Sequence, residues 1–421
     1  MRFLASLAWK NLSRYRRRTV ITATALGVGL AIYLLVDSIL LGAEKESERN
    51  LIWYESSSAR VMARGYWADR QQLPLEPAIE RPGELLARLD ERGIAAAPRT
   101  VFAAEIIVRR DPFPEDGSLR IKVVAIDPRR DGLVFRFGET VTAGRWLEAG
   151  EEAVLLGSWL AEDLGAEVGY TVTLVTRTRD GYYQSFEVPV VGIVTCPNPQ
   201  VNRSSVFLPL DAADDLLAMG GAVTEIDLRF PERADAAGLA AGLAADLQTA
   251  LTGEGPGVEV LDWKRLAEDY LALAAAKQKG TSLILALVFV IAAVGVSNTM
   301  LMAIYERVRE LGTMRALGMG DRQVRRLFLL EAAGVGVLGS TIGVALGALL
   351  CLWMVNRGID FSAMVRTMDM GYRVNGVFRG AWHPQAMAGA WVFGVVLCVA
   401  VALVPTRRAL SMRITDCLRA T

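Results

Sequence analysis

Glu306-Arg307-Val308-Arg309-Glu310-Leu311-Gly312-Thr313-Met314-Arg315-Ala316-Leu317-Gly318 is a charged, helix-forming segment set between two apolar runs, Thr281 to Ile304 and Leu327 to Val355. Each run is long enough to cross a bilayer as helix, since a hydrocarbon core about 30 Å thick needs roughly 20 apolar residues. A connection this short and this structured has the character of a lever. Val308, Leu311, Met314 and Leu317 recur every third position, so one face is apolar, and an exposed apolar stripe needs a groove to fill. The competing reading is an ordinary solvated face held by helical ion pairs such as Glu306 with Arg309, each contributing only tenths of a kcal/mol.

Two further runs, Thr19 to Leu41 and Met387 to Pro405, bring the expected membrane crossings to four. Over the 421 residues 52% are hydrophobic and the mean hydropathy is +0.30, more apolar than a soluble chain of this size. A cleaved signal is the other reading of the first run, but 23 apolar residues exceed the core of a signal peptide. The formal net charge is zero and hides an asymmetry. The amino-terminal segment, the central connection and the tail together hold 16 basic and four acidic residues, which leaves −12 for the remainder. Basic residues beside membrane ends stay cytoplasmic, so both termini and the central connection are expected inside and residues 43–279 outside. The fold class expected is an α-helical membrane domain of four transmembrane helices with a large α/β domain outside, between helices 1 and 2.

The boundaries expected are 1–18 for a cytoplasmic amphipathic segment, 19–41, 281–304, 327–355 and 387–405 for the membrane helices, and 42–280 for the external domain. The central connection is 305–326, a second outer loop 356–386, and the tail 406–421. Within the external domain, 120–128, 154–156, 170–178, 183–194, 206–208 and 225–230 have strand patterns, while 211–219 and 233–252 have helical ones. Asp180-Gly181 between alternating strands is a hairpin signal. Residues 151–210 are read as a β-rich lobe, with the chain before and after it pairing as a second lobe.

The amino-terminal segment places Phe3, Leu4, Leu7, Ala8, Asn11 and Leu12 at helical spacing beside basic residues, as an elbow bracing the first helix or as a plain basic anchor. Gly339, Gly343 and Gly347 form a doubled small-xxx-small pattern that admits another helix closely. The plain reading is static packing inside the protomer; packing that slides is the other. Glu331, about one turn inside the same run and near Arg325 and Arg326, is read as a snorkelling or paired structural acid rather than a proton carrier.

Catalysis finds no parts. No G-x-x-x-x-G-K-[ST] occurs, so no phosphate cradle is present in these residues. The one histidine, His383 beside Trp382, is read as an interfacial side chain, and Cys196, Cys351, Cys398 and Cys417 are too scattered for a metal site. Basic residues are not gathered with aromatics on a soluble face, so no nucleic-acid partner is expected.

The segment Glu306 to Gly318 resembles, nearly position for position, the E-R-x-R-E-x-G-x-x-R-A-x-G signature of the ABC permease family that includes MacB, FtsX and the lipoprotein-releasing LolC and LolE transporters. Trp9-Lys10-Asn11-Leu12, the strands Phe186 to Val194 and Val206 to Leu210, and Pro405-Thr406-Arg407-Arg408-Ala409 are similar to recurring family segments, so the likeness covers essentially the whole chain. The resemblance implies a non-catalytic permease of the bacterial inner membrane, with a porter-like lobe and a β-rich lobe in the periplasm. It makes Glu306, Arg307, Val308, Arg309, Glu310, Leu311, Met314, Arg315 and Leu317 the coupling helix, docked on a separate ATP-binding subunit. That partner is expected in two copies and carries ATP and magnesium, while this chain binds no cofactor of its own. A second permease chain, identical or homologous, and membrane lipids complete the assembly, with lipoproteins and a periplasmic carrier as further partners. The work implied is mechanotransmission (type VII), with lipoprotein release leading. MacB-like efflux of peptides or amphiphiles, or control of a cell-wall hydrolase without transport, are the alternatives. Ile32, Leu34, Leu35, Ile39 and Leu40 are then read as an acyl-chain vestibule or, equally, as plain lipid-facing side chains. One departure is the turn Thr176 to Tyr183, too tight for the long hook of the LolC type.

Overall fold

The computed structural model describes residues 2–14, 16–108, 117–231, 235–250, 257–367, 374 and 376–419. The described chain divides into two compact units, one of residues 1–44, 275–361 and 377–421, the other of 45–274 and 362–376. Part of the second outer loop therefore clusters with the external domain.

An amino-terminal helix, Arg2–Arg14, precedes the first long helix, Arg16–Leu51, which belongs to the first unit up to residue 44. The second long helix is Glu268–Tyr305, and a linker helix, Val308–Ala316, leads to the third, Asp321–Arg357. The fourth long helix, Pro384–Leu410, is followed by a carboxy-terminal helix, Ile414–Arg419. Among the described residues three helices are long and apolar enough to cross a membrane, Thr19–Ser56, Asp321–Arg357 and Pro384–Leu410. The helix Glu268–Tyr305 covers the apolar run Thr281 to Ile304. The helices outrun the apolar runs because their flanks are good helix formers, such as Ala43-Glu44-Lys45-Glu46 after the first run. Beyond Pro405 the fourth helix persists to Leu410, where Thr406 Oγ1 donates to Ala402 O at 2.6 Å.

The second unit is built on one ten-stranded sheet: β1 (Ala59–Ala63), β2 (Ala95–Val108), β3 (Gly117–Ile126), β4 (Val141–Gly144), β5 (Val154–Gly157), β6 (Thr171–Arg177), β7 (Tyr183–Val194), β8 (Ser205–Pro209), β9 (Glu225–Arg229) and β10 (Val258–Asp262). Strands β2, β3, β8, β5, β7 and β6 pair in sequence and β6 returns to β2, so six strands close on themselves. Phe102, Ile106, Val123, Leu156, Leu174 and Val190 are among the buried residues of the core these strands share. The amino-terminal half of β2 instead pairs β9 and, together with β9, β1 and β10, forms an open four-stranded extension over its own core of Val61, Leu89, Ile226 and Leu228. The β-rich part is thus wider than 151–210. It needs β2 and β3, because strands 154–209 alone leave two edges open, and closure removes them. The long strand β2 belongs to both parts. At the expected hairpin, Gly181 takes φ +89° and Thr178 N donates to Tyr182 O at 2.8 Å. The helix expected over 233–252 is Ala236–Ala250; the ends of that expectation, 233–234 and 251–252, lie outside the described residues.

Charges are buried in this unit. Arg60 lies 2.8 Å from both Glu225 and Asp227. Arg99 donates to Asp131 at 2.6 Å, with its guanidinium 3.4 Å from the Phe135 ring centroid. Burial pushes the Glu225 carboxyl up to about 7 against the pull of Arg60.

Candidate functional site

The linker between the second and third long helices turns at Glu306 and Arg307, runs as helix over Val308–Ala316, and stops at Gly318, whose φ of +94° disfavours any side chain. Gly320 N then donates to the Gln323 side chain at the start of the third long helix.

The apolar stripe is not available as one docking face. Val308 and Leu311 are buried within the chain, packed with Val324, Phe328, Ala409 and Cys417. Met314 packs on a second cluster around Ala8 and Leu327. Of the four stripe residues only Leu317 is open, at 83% exposure. The physical reason is local: the third long helix and the carboxy-terminal helix fold back onto the linker, so its apolar face is satisfied internally. The outward face holds Glu306, Arg309, Thr313, Ala316 and Leu317 instead.

The charged residues of the segment divide in the same way. Arg307 is only 5% exposed. Its Nε donates to Glu310 Oε2 at 2.9 Å, and its Nη1 to Glu331 Oε1 and Oε2 at 3.3 and 3.1 Å. Burial opposes the charge on Arg307 and the two carboxylates outweigh it, so its pKa lies above the ordinary arginine value. Glu331 also accepts from Asn11 Nδ2 at 2.5 Å, and Glu310 lies 3.6 Å from Arg14. Arg315 donates to Met412 O at 2.8 Å and pairs with Asp321 at 3.2 Å. Glu331 is therefore a paired structural acid, but its cation is Arg307; Arg325 and Arg326 point outward. This pairing is invisible to a local reading, because 24 residues separate Arg307 from Glu331 and 320 separate Asn11 from it.

On the amino-terminal helix, Leu7 and Ala8 belong to the cluster with Leu327, and Leu12 lies against Gly334. The helix is braced on the third long helix, as an elbow would be; the side chains of Phe3 and Leu4 lie outside the described residues.

Gly339, Gly343 and Gly347 face the first long helix. A Cβ on Gly343 would stand 2.8 Å from Leu30 Cβ and 2.9 Å from Gly27 O, and one on Gly339 would stand 2.9 Å from Ala23 O. One on Gly347 would meet Leu34 at 2.8 Å. The opposing surface is itself a small-residue row, Ala23, Gly27 and Ala31, so two such rows mesh backbone to backbone. This takes Leu34 out of any vestibule, because it is buried with Leu30, Cys351 and Ala390. Ile32 is 53% exposed, and Leu35, Ile39 and Leu40 are half-buried. His383 is more than an interfacial side chain: its Nδ1 lies 2.8 Å from Asp37 Oδ2.

Comparison with known proteins places two family models on this chain, the MacB-like periplasmic core domain over residues 19–246 and the FtsX-like permease C-terminal over 282–414. The chain is 25% identical over 353 residues to the lipoprotein-releasing system transmembrane protein LolC of Neisseria meningitidis serogroup B, spanning 82% of this chain and 79% of that protein. It is 25% identical to the LolE counterpart of Haemophilus influenzae, over 78% of this chain and 76% of that one. Against the macrolide export ATP-binding/permease protein MacB of Hahella chejuensis it is 22% identical, over 88% of this chain and 54% of that protein.

Proposed function

This chain belongs to the ABC transporter permease family that joins a MacB-like periplasmic core domain to an FtsX-like permease C-terminal region, and from that premise we propose that it transmits work from a separate ATP-binding subunit to its external domain. The observation that carries the proposal is the linker: a short helix pinned from behind by its own chain, presenting Glu306, Arg309, Thr313, Ala316 and Leu317 outward. No phosphate-cradling motif occurs in these residues, so ATP and magnesium would sit on the partner, in two copies facing two permease chains. In this reading all four long helices cross the inner membrane, both termini and the linker are cytoplasmic, and the sheet domain is periplasmic. The segregation of basic residues to the termini and linker supports that orientation. The first and second long helices, 36 and 38 residues without interruption, are stiff enough to carry displacement outward.

Lipoprotein release is the favoured work, because LolC and LolE relatives cover more than three quarters of the chain. Efflux of peptides or amphiphiles is the second reading, favoured by the MacB-like core match over residues 19–246. The experiment is mass spectrometry of what co-purifies with the full chain from native membranes in mild detergent. An ATP-binding subunit with triacylated lipoproteins supports release; the same subunit with a periplasmic adaptor moves the assignment to efflux, and with a hydrolase to wall control. Recovery of the chain without any ATP-binding subunit overturns the proposal.

A further inference from the structure

We propose that Asn11, Glu331 and Arg307 form a polar clamp that makes the amino-terminal helix, the third long helix and the linker helix move as one body, so that displacement of the linker also displaces the amino-terminal helix. The inference rests on the linker being the segment that a partner pushes.

Glu331 lies ten residues into the third long helix, about 15 Å along its axis, and is only 7% exposed. An ionised carboxylate so placed is costly unless a cation and further donors hold it. Two neighbouring elements supply them. Arg307 comes from the turn before the linker helix and Asn11 from the amino-terminal helix, at 3.1 and 2.5 Å. Arg307 also holds Glu310 at 2.9 Å, and Glu310 reaches Arg14. Asn11 and Arg14 are one turn apart on one helix, Arg307 and Glu310 one turn apart on the linker, so the contacts join the two segments at two levels, with Glu331 at the buried end.

The residue types fit a clamp better than a cushion. Apolar contacts such as Leu7 with Leu327 are non-directional and tolerate sliding. An arginine with donors on two carboxylates has one geometry, and lysine could not reproduce it. Shifting either helix past the other by a turn would leave a buried charge without its donors, so intermediate positions are disfavoured and the three segments travel together.

The test is hydrogen exchange of the full chain in lipid nanodiscs, comparing wild type, Asn11→Leu, Glu331→Gln and, as an apolar control, Leu311→Ala. Under the clamp, Asn11→Leu and Glu331→Gln each raise exchange about tenfold or more in both the amino-terminal helix and the linker helix. Leu311→Ala, which packs away from the amino-terminal helix, raises it in the linker helix alone. If Asn11→Leu loosens only its own helix and leaves the linker unchanged, the segments are independent and the clamp is refuted; so too if Leu311→Ala loosens both equally, since packing then suffices. These readouts need no partner. Loss of the function proposal in co-purification and loss of the clamp in exchange are therefore separate outcomes.

Discussion

Truncation of two leucines six residues apart, Leu311→Ala and Leu317→Ala, separates what the linker does for its own fold from what it offers a partner. Leu311 is fully buried among Val308, Val324, Phe328 and Ala409, so truncation removes its transfer free energy and leaves a cavity, about 2–5 kcal/mol in total. Leu317 is 83% exposed, so the same change should shift the chain's own stability by no more than about 0.5 kcal/mol. If a partner covers Leu317, its truncation costs about 1.5–3 kcal/mol of interface burial, roughly tenfold or more in affinity. The assay is thermal unfolding of the purified chain in detergent, run beside capture of the ATP-binding subunit by the same variants. Leu311→Ala is expected to lower the unfolding midpoint, and Leu317→Ala to leave it in place while weakening capture. The reasoning is refuted if Leu317→Ala destabilises the isolated chain as much as Leu311→Ala does, or if Leu311→Ala leaves the midpoint untouched. Charge reversal at Glu310 or Arg315 is a poorer probe, since both are engaged within the chain.

Gly343→Leu should break the seam between the first and third long helices, because even its Cβ would stand 2.8 Å from Leu30 Cβ. A loss of about 1–3 kcal/mol or more is expected from overpacking, while Gly29→Ala, with nothing within 4 Å of the added carbon, should be neutral or slightly stabilising in the same melts. Glu225 has a folded pKa of about 7 against an ordinary 4.5, so the native state binds more protons between those values. Its contribution is complete below about 4.5 and lost as pH rises through about 7. The difference in stability between wild type and Glu225→Gln should therefore change between pH 5 and pH 8, and a pH-independent difference would rule out the shifted carboxyl. Burial pushes the Cys196 thiol up to about 12, and only the thiolate is reactive. Maleimide at pH 7.5 should leave Cys196 unmodified in the folded chain and label it after denaturation, read by the mass of the peptide that contains it.

Much of the architecture was legible because its causes are local. A run of about 20 apolar residues has few fates other than a long helix, and the alternation in Tyr183 to Val194 is a strand pattern wherever its partner lies. The head of strand β2, Ala95-Ala96-Ala97-Pro98, has weak strand character, and its pairing with β9 holds it extended. The β-rich lobe reaches beyond 151–210 because closure of the six strands recruits β2 and β3 from outside that range.

The linker shows where the division lies. Its spacing of Val308, Leu311 and Met314 determined that one face would be covered, because that periodicity is a property of the helix itself. Whether a partner or the chain's own helices would cover it depends on which surfaces the tertiary fold brings near, and that was decided by the return of Phe328, Ala409 and Cys417 onto the linker. Glu331 was readable as an acid needing a partner, because a buried charge is costly in any fold. That Arg307 and Asn11 would supply it, from 24 and 320 residues away, was settled only by packing, since side-chain pairs distant along the chain leave no periodic trace in it.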